Sequence, residues 1–157
     1  MSRRRHPPAG QADATYIEPT EEDDRLDDQT AHLPPGSRLL EREWLGFDDA
    51  GETATVRFNG RTDFTNRHGT IQGGFLAAML DSATGLCALA SLPSDQTVVT
   101  KRLDTRFLKT AGVGPITVKA RVITRTEREM TVEADLIDAQ EVTVAKATAE
   151  LRILVRK

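Results

Sequence analysis

This chain has little that would tie it to a metal, a disulfide scaffold or a polyanion. Its 157 residues include one cysteine, Cys87, which excludes an internal disulfide framework and fits a reducing, cytoplasmic setting. Cys87 lies in an apolar segment and reads as a small buried hydrophobe rather than a nucleophile. The three histidines, His6, His32 and His68, are scattered and match no ligand spacing, so no metal or other required cofactor is implied. A net charge of −3 indicates neither a nucleic-acid surface nor an acidic tail. The Arg3-Arg4-Arg5 cluster is short, is followed by acids and lacks the apolar run of a secretory signal.

One long apolar run is present, over residues 75–92. Its length alone would suit a membrane span. Asp81, Ser82, Thr84, Gly85 and Ser91 interrupt it, and strand-like sequence follows. We therefore expect a core helix over about 73–91, ended by Leu92-Pro93, with neither a membrane nor a nucleic acid as partner. A helix apolar nearly all round must be wrapped on most sides.

The length suits one domain with a real core. Residues 1–35 are rich in Pro, Asp, Glu and Arg and read as a loosely ordered arm, with a short helix capped by Thr20 over 20–26. A single domain is expected over 36–157. Leu39, Leu40, Trp44, Leu45 and Phe47 suggest a first strand with a bend, and Asp48-Asp49-Ala50-Gly51 a turn. Ala54, Val56 and Phe58 alternate with polar residues, as in a half-buried strand; 59–70 is loop-like.

After the helix come four strand-like stretches, at about 97–108, 116–126, 130–136 and 145–153. Short turns join the last three, which suggests an antiparallel meander with one apolar face. Ala145, Ala147 and Ala149 would let a helix approach closely. The expected fold class is α+β: a curved antiparallel sheet wrapped around one long central helix.

The chemistry gathers around that helix. Gly73 and Gly74 open it, and the free N–H groups of a helix start favour developing negative charge. Asp81 is the one charged residue in the apolar run, and a carboxylate there is costly unless paired or used. Oxyanion donors plus a carboxylate are the parts of an acyl-transfer site. Strict alternation puts Thr100, Arg102, Asp104 and Arg106 on one strand face, and Val99, Leu103 and Phe107 on the other. That polar face is expected to meet a groove or solvent rather than the helix of its own chain. Thr84, near Asp81 on the helix, is expected to be a helix-packing hydroxyl.

The spaced pattern Asn66-x-x-Gly69-x-x-Gln72-Gly73-Gly74, then Leu80-Asp81, Thr100 and Phe107-Leu108-Lys109-Thr110-Ala111, resembles the hotdog-fold, PaaI-like acyl-CoA thioesterases over roughly residues 38–155. The resemblance implies hydrolysis of an acyl- or aryl-CoA thioester to a carboxylic acid and free CoA. It implies that Asp81 is nucleophile or general base, and that Gly73, with Gln72 or Gly74, polarises the carbonyl. Asn66 matches the Asn at the start of the family motif, and Thr100 matches the residue that orients the attacking water. It further implies a site formed between two subunits, hence a homodimer or a dimer of dimers. Many members carry His where this chain has Gln72. A Gln side chain still donates a hydrogen bond and does not titrate near neutral pH, so the polarising role is expected to survive.

Coenzyme A carries phosphates, and Arg102, Arg106, Lys109, Arg125 and Arg128 are candidates to meet them. Two rival readings keep the fold and change the function: a non-catalytic acyl-CoA-binding or regulatory module, and a hotdog hydratase or dehydratase. Asp81 argues against the first. The second would use a His near an Asp, and the helix holds no such pair.

Overall fold

A computed structural model describes residues 33–157. The expected arm therefore lies outside the described residues except for its last three, as do the helix expected over 20–26, the arginine cluster, His6 and His32.

The first element differs from expectation. Pro35–Leu39 is a short helix, α1, rather than part of a strand. Pro35 sits at its start, where a missing N–H costs nothing and the fixed φ suits a helix. Leu39 points outward at 51% exposure, while Leu40 is buried. The strand proper, β1, is only Glu43–Phe47. It bulges between Trp44 and Gly46, where Gly46 takes φ +87°; the bulge brings Phe47 to the face of Trp44, the two rings meeting edge to face at 5.5 Å, while Leu45 is left exposed. The turn at 48–51 forms as expected: Asp48 Oδ1 accepts from the N–H groups of Glu52 and Thr53 at 2.8 and 3.2 Å.

Strand β2, Thr53–Gly60, buries Ala54, Val56 and Phe58 as the alternation demands. A 3₁₀ turn over Thr62–Phe64 leads toward helix α2, Gly73–Ala90, whose bounds match expectation closely. Then come β3 (Gln96–Phe107), β4 (Gly114–Arg125), β5 (Glu129–Ile137) and β6 (Thr143–Val155).

All six strands form one antiparallel sheet in the order β1-β2-β4-β5-β6-β3. The meander holds for β4, β5 and β6. Strand β3 does not lead it: it crosses to the far edge and pairs with β6. That crossing carries the chain around α2, so the sheet curls over the helix. Leu76, Met79, Leu80, Ala83 and Leu86 face the sheet and are buried. Burial of each of these Leu and Met side chains contributes roughly 1.5–3 kcal/mol. Ala145, Ala147 and Ala149 of β6 lie at 0–5% exposure beneath the helix, which keeps helix and sheet close. This is the hotdog arrangement.

Candidate functional site

The side of α2 turned away from the sheet is open in a single chain. Asp81 lies on it, exposed, with Gly74, Ala78 and Gly85 spaced along the same stripe. Two features make Asp81 more than a surface acid. It stands in the middle of an apolar helix, and Thr100 Oγ1 donates to its Oδ1 at 2.8 Å.

That hydrogen bond corrects the face assigned to Thr100 from strict alternation. Strand β3 carries a bulge: Thr100 pairs with Leu151 and Arg102 with Glu150, leaving Lys101 as the extra residue. Cross-strand partners share a face. Val98 and Thr100 thus join Leu103, Thr105 and Phe107 on the helix side, opposite Ile153, Leu151, Ala149, Ala147 and Ala145. Arg102, Asp104 and Arg106 are left on the outer face. Thr100 does meet the helix of its own chain.

The start of α2 is the second half of the site. Gln72 precedes it with no side-chain cap bond, and its side chain is exposed. Its backbone N–H is already given to the Phe64 carbonyl at 2.9 Å. Among the described residues no group accepts from the N–H of Gly73 or Gly74, as expected for the first turn. Gly73 is the tightly packed member of the pair: a methyl group there would lie 3.2 Å from Phe107 Cζ, whereas Gly74 has nothing within 4 Å.

Asn66 organises the loop before the helix. Its Oδ1 accepts from the His68 N–H at 2.9 Å, its Nδ2 donates to Thr70 Oγ1 at 3.1 Å, and its N–H donates to the Thr70 carbonyl at 2.9 Å. This is an Asx turn that fixes the approach to Gln72. His68 is exposed on that loop. Thr84 is fully buried and donates to the carbonyls of Leu80 and Asp81 at 2.9 and 3.1 Å, a helix-packing hydroxyl as expected.

The basic candidates are dispersed. Arg102 is held by Asp104, and it shares the outer face of the sheet with Arg106, turned away from Asp81. Arg125 donates to the Ser91 carbonyl beyond the end of α2, and Arg128 lies in the turn between β4 and β5. Only Lys109 is near the helix start. It lies two residues beyond β3, and the Ala111 carbonyl just after it accepts from the Ile71 N–H at 2.8 Å.

Two residues were missed as site neighbours. Phe107 packs on Gly73, and Arg42 donates to Ser82 Oγ at 3.4 Å beside Asp81 in sequence. Alternation already set Phe107 on the apolar face of β3 with Leu103, but nothing in the sequence marks its contact with Gly73, or marks Arg42.

The two halves are well separated within one chain. Asp81 follows Gly73 by eight residues, which at the rise of an α-helix is about 12 Å. One thioester carbon cannot be within reach of both.

A family model described as the thioesterase superfamily matches residues 68–145. A protein of Saccharolobus solfataricus, provisionally named an esterase, is 31% identical over 101 residues, covering 64% of this chain and 71% of the relative. The crystal structure of a phenylacetic acid degradation-related protein of Ralstonia eutropha JMP134, provisionally named a thioesterase, superposes with a TM-score of 0.72 at 28% identity, over 76% of this chain and 90% of that one. A Bacillus halodurans protein crystallised with CoA shares the fold at a TM-score of 0.70 and 24% identity, over 84% of each chain.

Proposed function

The chain belongs to the thioesterase superfamily, and from that premise we propose that it hydrolyses acyl-CoA thioesters to a carboxylic acid and free CoA. The observation that carries this reading is the Asp81–Thr100 pair on the open side of the central helix. The Thr100 proton is committed to Asp81, so its oxygen lone pairs remain to accept from a water. Asp81 takes the other proton of that water as the oxygen attacks the thioester carbon. The carbonyl oxygen gathers negative charge against the N–H groups of Gly73 and Gly74, aided by the Gln72 side chain. The C–S bond then breaks, the leaving thiolate takes the proton that Asp81 received from the water, and the acid is released with Asp81 ionised again. Coenzyme A enters as part of the substrate.

Because about 12 Å of helix separates the two halves, we assign them to different subunits. Asp81 and Thr100 of one copy would face the helix start of another, in a homodimer or a dimer of dimers. Asn66 is a positioning residue in this account, since its polar atoms are spent on the loop. Lys109 is the basic residue we assign to a CoA phosphate. The CoA bound to the Bacillus halodurans relative supports the carrier.

The test of substrate class compares thiol release from butyryl-CoA with release from butyryl-pantetheine, which lacks the nucleotide. We expect faster turnover of the CoA thioester, with part of the difference lost in Lys109→Ala. Equal rates on both would contradict CoA recognition. Tight acyl-CoA binding without thiol release would favour the binding-module reading.

A further inference from the structure

Strand β3 delivers two side chains to the helix that strict alternation would keep apart. Thr100 and Phe107 are an odd number of residues apart, so an unbroken strand would turn them to opposite faces. The bulge at Lys101 brings both to the helix side: Thr100 pairs with Leu151 and Phe107 with Ala145, each buried. Thr100 then reaches Asp81, and Phe107 reaches the first residue of α2.

The contact at the helix start is close. A methyl group on Gly73 would meet Cζ and Cε1 of the Phe107 ring at 3.2 and 3.3 Å. A larger residue at Gly73 would push the ring back by a few tenths of an ångström, so glycine favours this close approach to the helix start. Part of the ring rests on Gly73, yet Phe107 is still 54% exposed, and Leu108 after it is 50% exposed. An apolar wall therefore stands directly beside Gly73, the first of the two residues whose N–H groups open the helix.

Resting on the thioesterase reading, we infer that Phe107 is a specificity-determining residue that narrows the site at the acyl α-carbon. A carbonyl oxygen held by the Gly73 and Gly74 N–H groups puts its α-carbon two bonds beyond that oxygen, about 4–5 Å from the donors. The ring occupies that side. An unbranched α-carbon passes the ring; a branched one meets it. Removal of the ring opens the space without touching Asp81, Thr100 or the N–H donors.

The experiment measures kcat/KM for butyryl-CoA and isobutyryl-CoA, which differ only in branching at the α-carbon, with wild type, Phe107→Leu and Phe107→Ala. Wild type is expected to prefer the linear thioester. In Phe107→Ala the isobutyryl/butyryl ratio should rise by about tenfold, the scale set by one methyl group against a wall. Phe107→Leu should fall between. Circular dichroism and a melting curve check that each variant is folded, as the exposure of Phe107 leads us to expect. A ratio unchanged in folded variants, or an equal fall on both substrates, would overturn the inference while leaving thioester hydrolysis intact. A wild type inactive on every thioester would overturn the parent reading and this one with it.

Discussion

Thr100 Oγ1 donates a hydrogen bond of 2.8 Å to Asp81 Oδ1, joining the edge strand of the sheet to the middle of the central helix. The bond exists because β3 is bulged at Lys101, which turns Thr100 toward the helix. Removing the hydroxyl while keeping the shape isolates its contribution. Thr100→Val should lower kcat about tenfold, on the scale of one lost hydrogen bond to a charged group. Thr100→Ser should retain most of the rate. The melting temperature should move little, since Thr and Val are both good strand residues. A Val variant with full activity would show that the hydroxyl has no part in the reaction.

The oxyanion role can be tested without disturbing the helix. Proline is tolerated in the first turn, and no atom crowds Gly74. Gly74→Pro deletes one N–H and should lower kcat by about 10²–10³-fold, the usual cost of losing one such donor. The same variant tests the shared site. Asp81→Asn and Gly74→Pro chains, refolded together, should recover roughly a quarter of wild-type activity, because half the dimers are mixed and each then holds one intact site. No recovery in demonstrably mixed dimers would mean that both halves serve one chain.

Cys87 is fully buried beneath β4, with its Sγ 3.5 Å from the Ala120 carbonyl, and burial pushes its thiol up from the ordinary 9.0 to about 11. The thiol should be inert to thiol reagents at pH 8 until the protein unfolds. The pH dependence follows from the direction of the shift. Between pH 9 and 11 the folded state holds a proton that the unfolded state has released, so stability should fall as pH rises through that window. The slope should fade below pH 9 as the unfolded thiol, too, becomes protonated. Urea titrations of wild type and Cys87→Ala over pH 8–11 measure it, and parallel pH profiles would contradict it.

Most of the scaffold was legible because local chemistry and tertiary environment agree. The helix over 73–91 was marked by its apolar run, its Gly-Gly start and Leu92-Pro93. Strands β2, β4, β5 and β6 alternate as half-buried strands should. Asp81 stood out as the lone charge in that run. What escaped depends on non-local pairing. Periodicity does not say that β3 leaves the meander to pair with β6, because that pairing closes a loop across the whole sheet. Nor does it reveal a one-residue bulge, and one residue reverses every side chain after it. Thr100 was therefore grouped with Arg102 and Arg106, and Phe107 was separated from it. The α1 turn was missed because Leu39 and Leu40 were read with Trp44 as one bent strand, although Pro35 is well suited to begin a helix.

Asp81 is where the account is most exposed. Thiol release from a panel of aliphatic and aryl CoA thioesters, with wild type and Asp81→Asn side by side, tests it directly. The side chain is exposed in the single chain and Asn keeps its shape, so the variant should fold as wild type does, and its oligomeric state is checked alongside. Its kcat should fall by about 10²–10⁴-fold on every thioester that wild type hydrolyses, the range for loss of a positioned acid–base group. Undiminished thiol release by Asp81→Asn would contradict the assignment of the helix carboxylate as the group that drives hydrolysis.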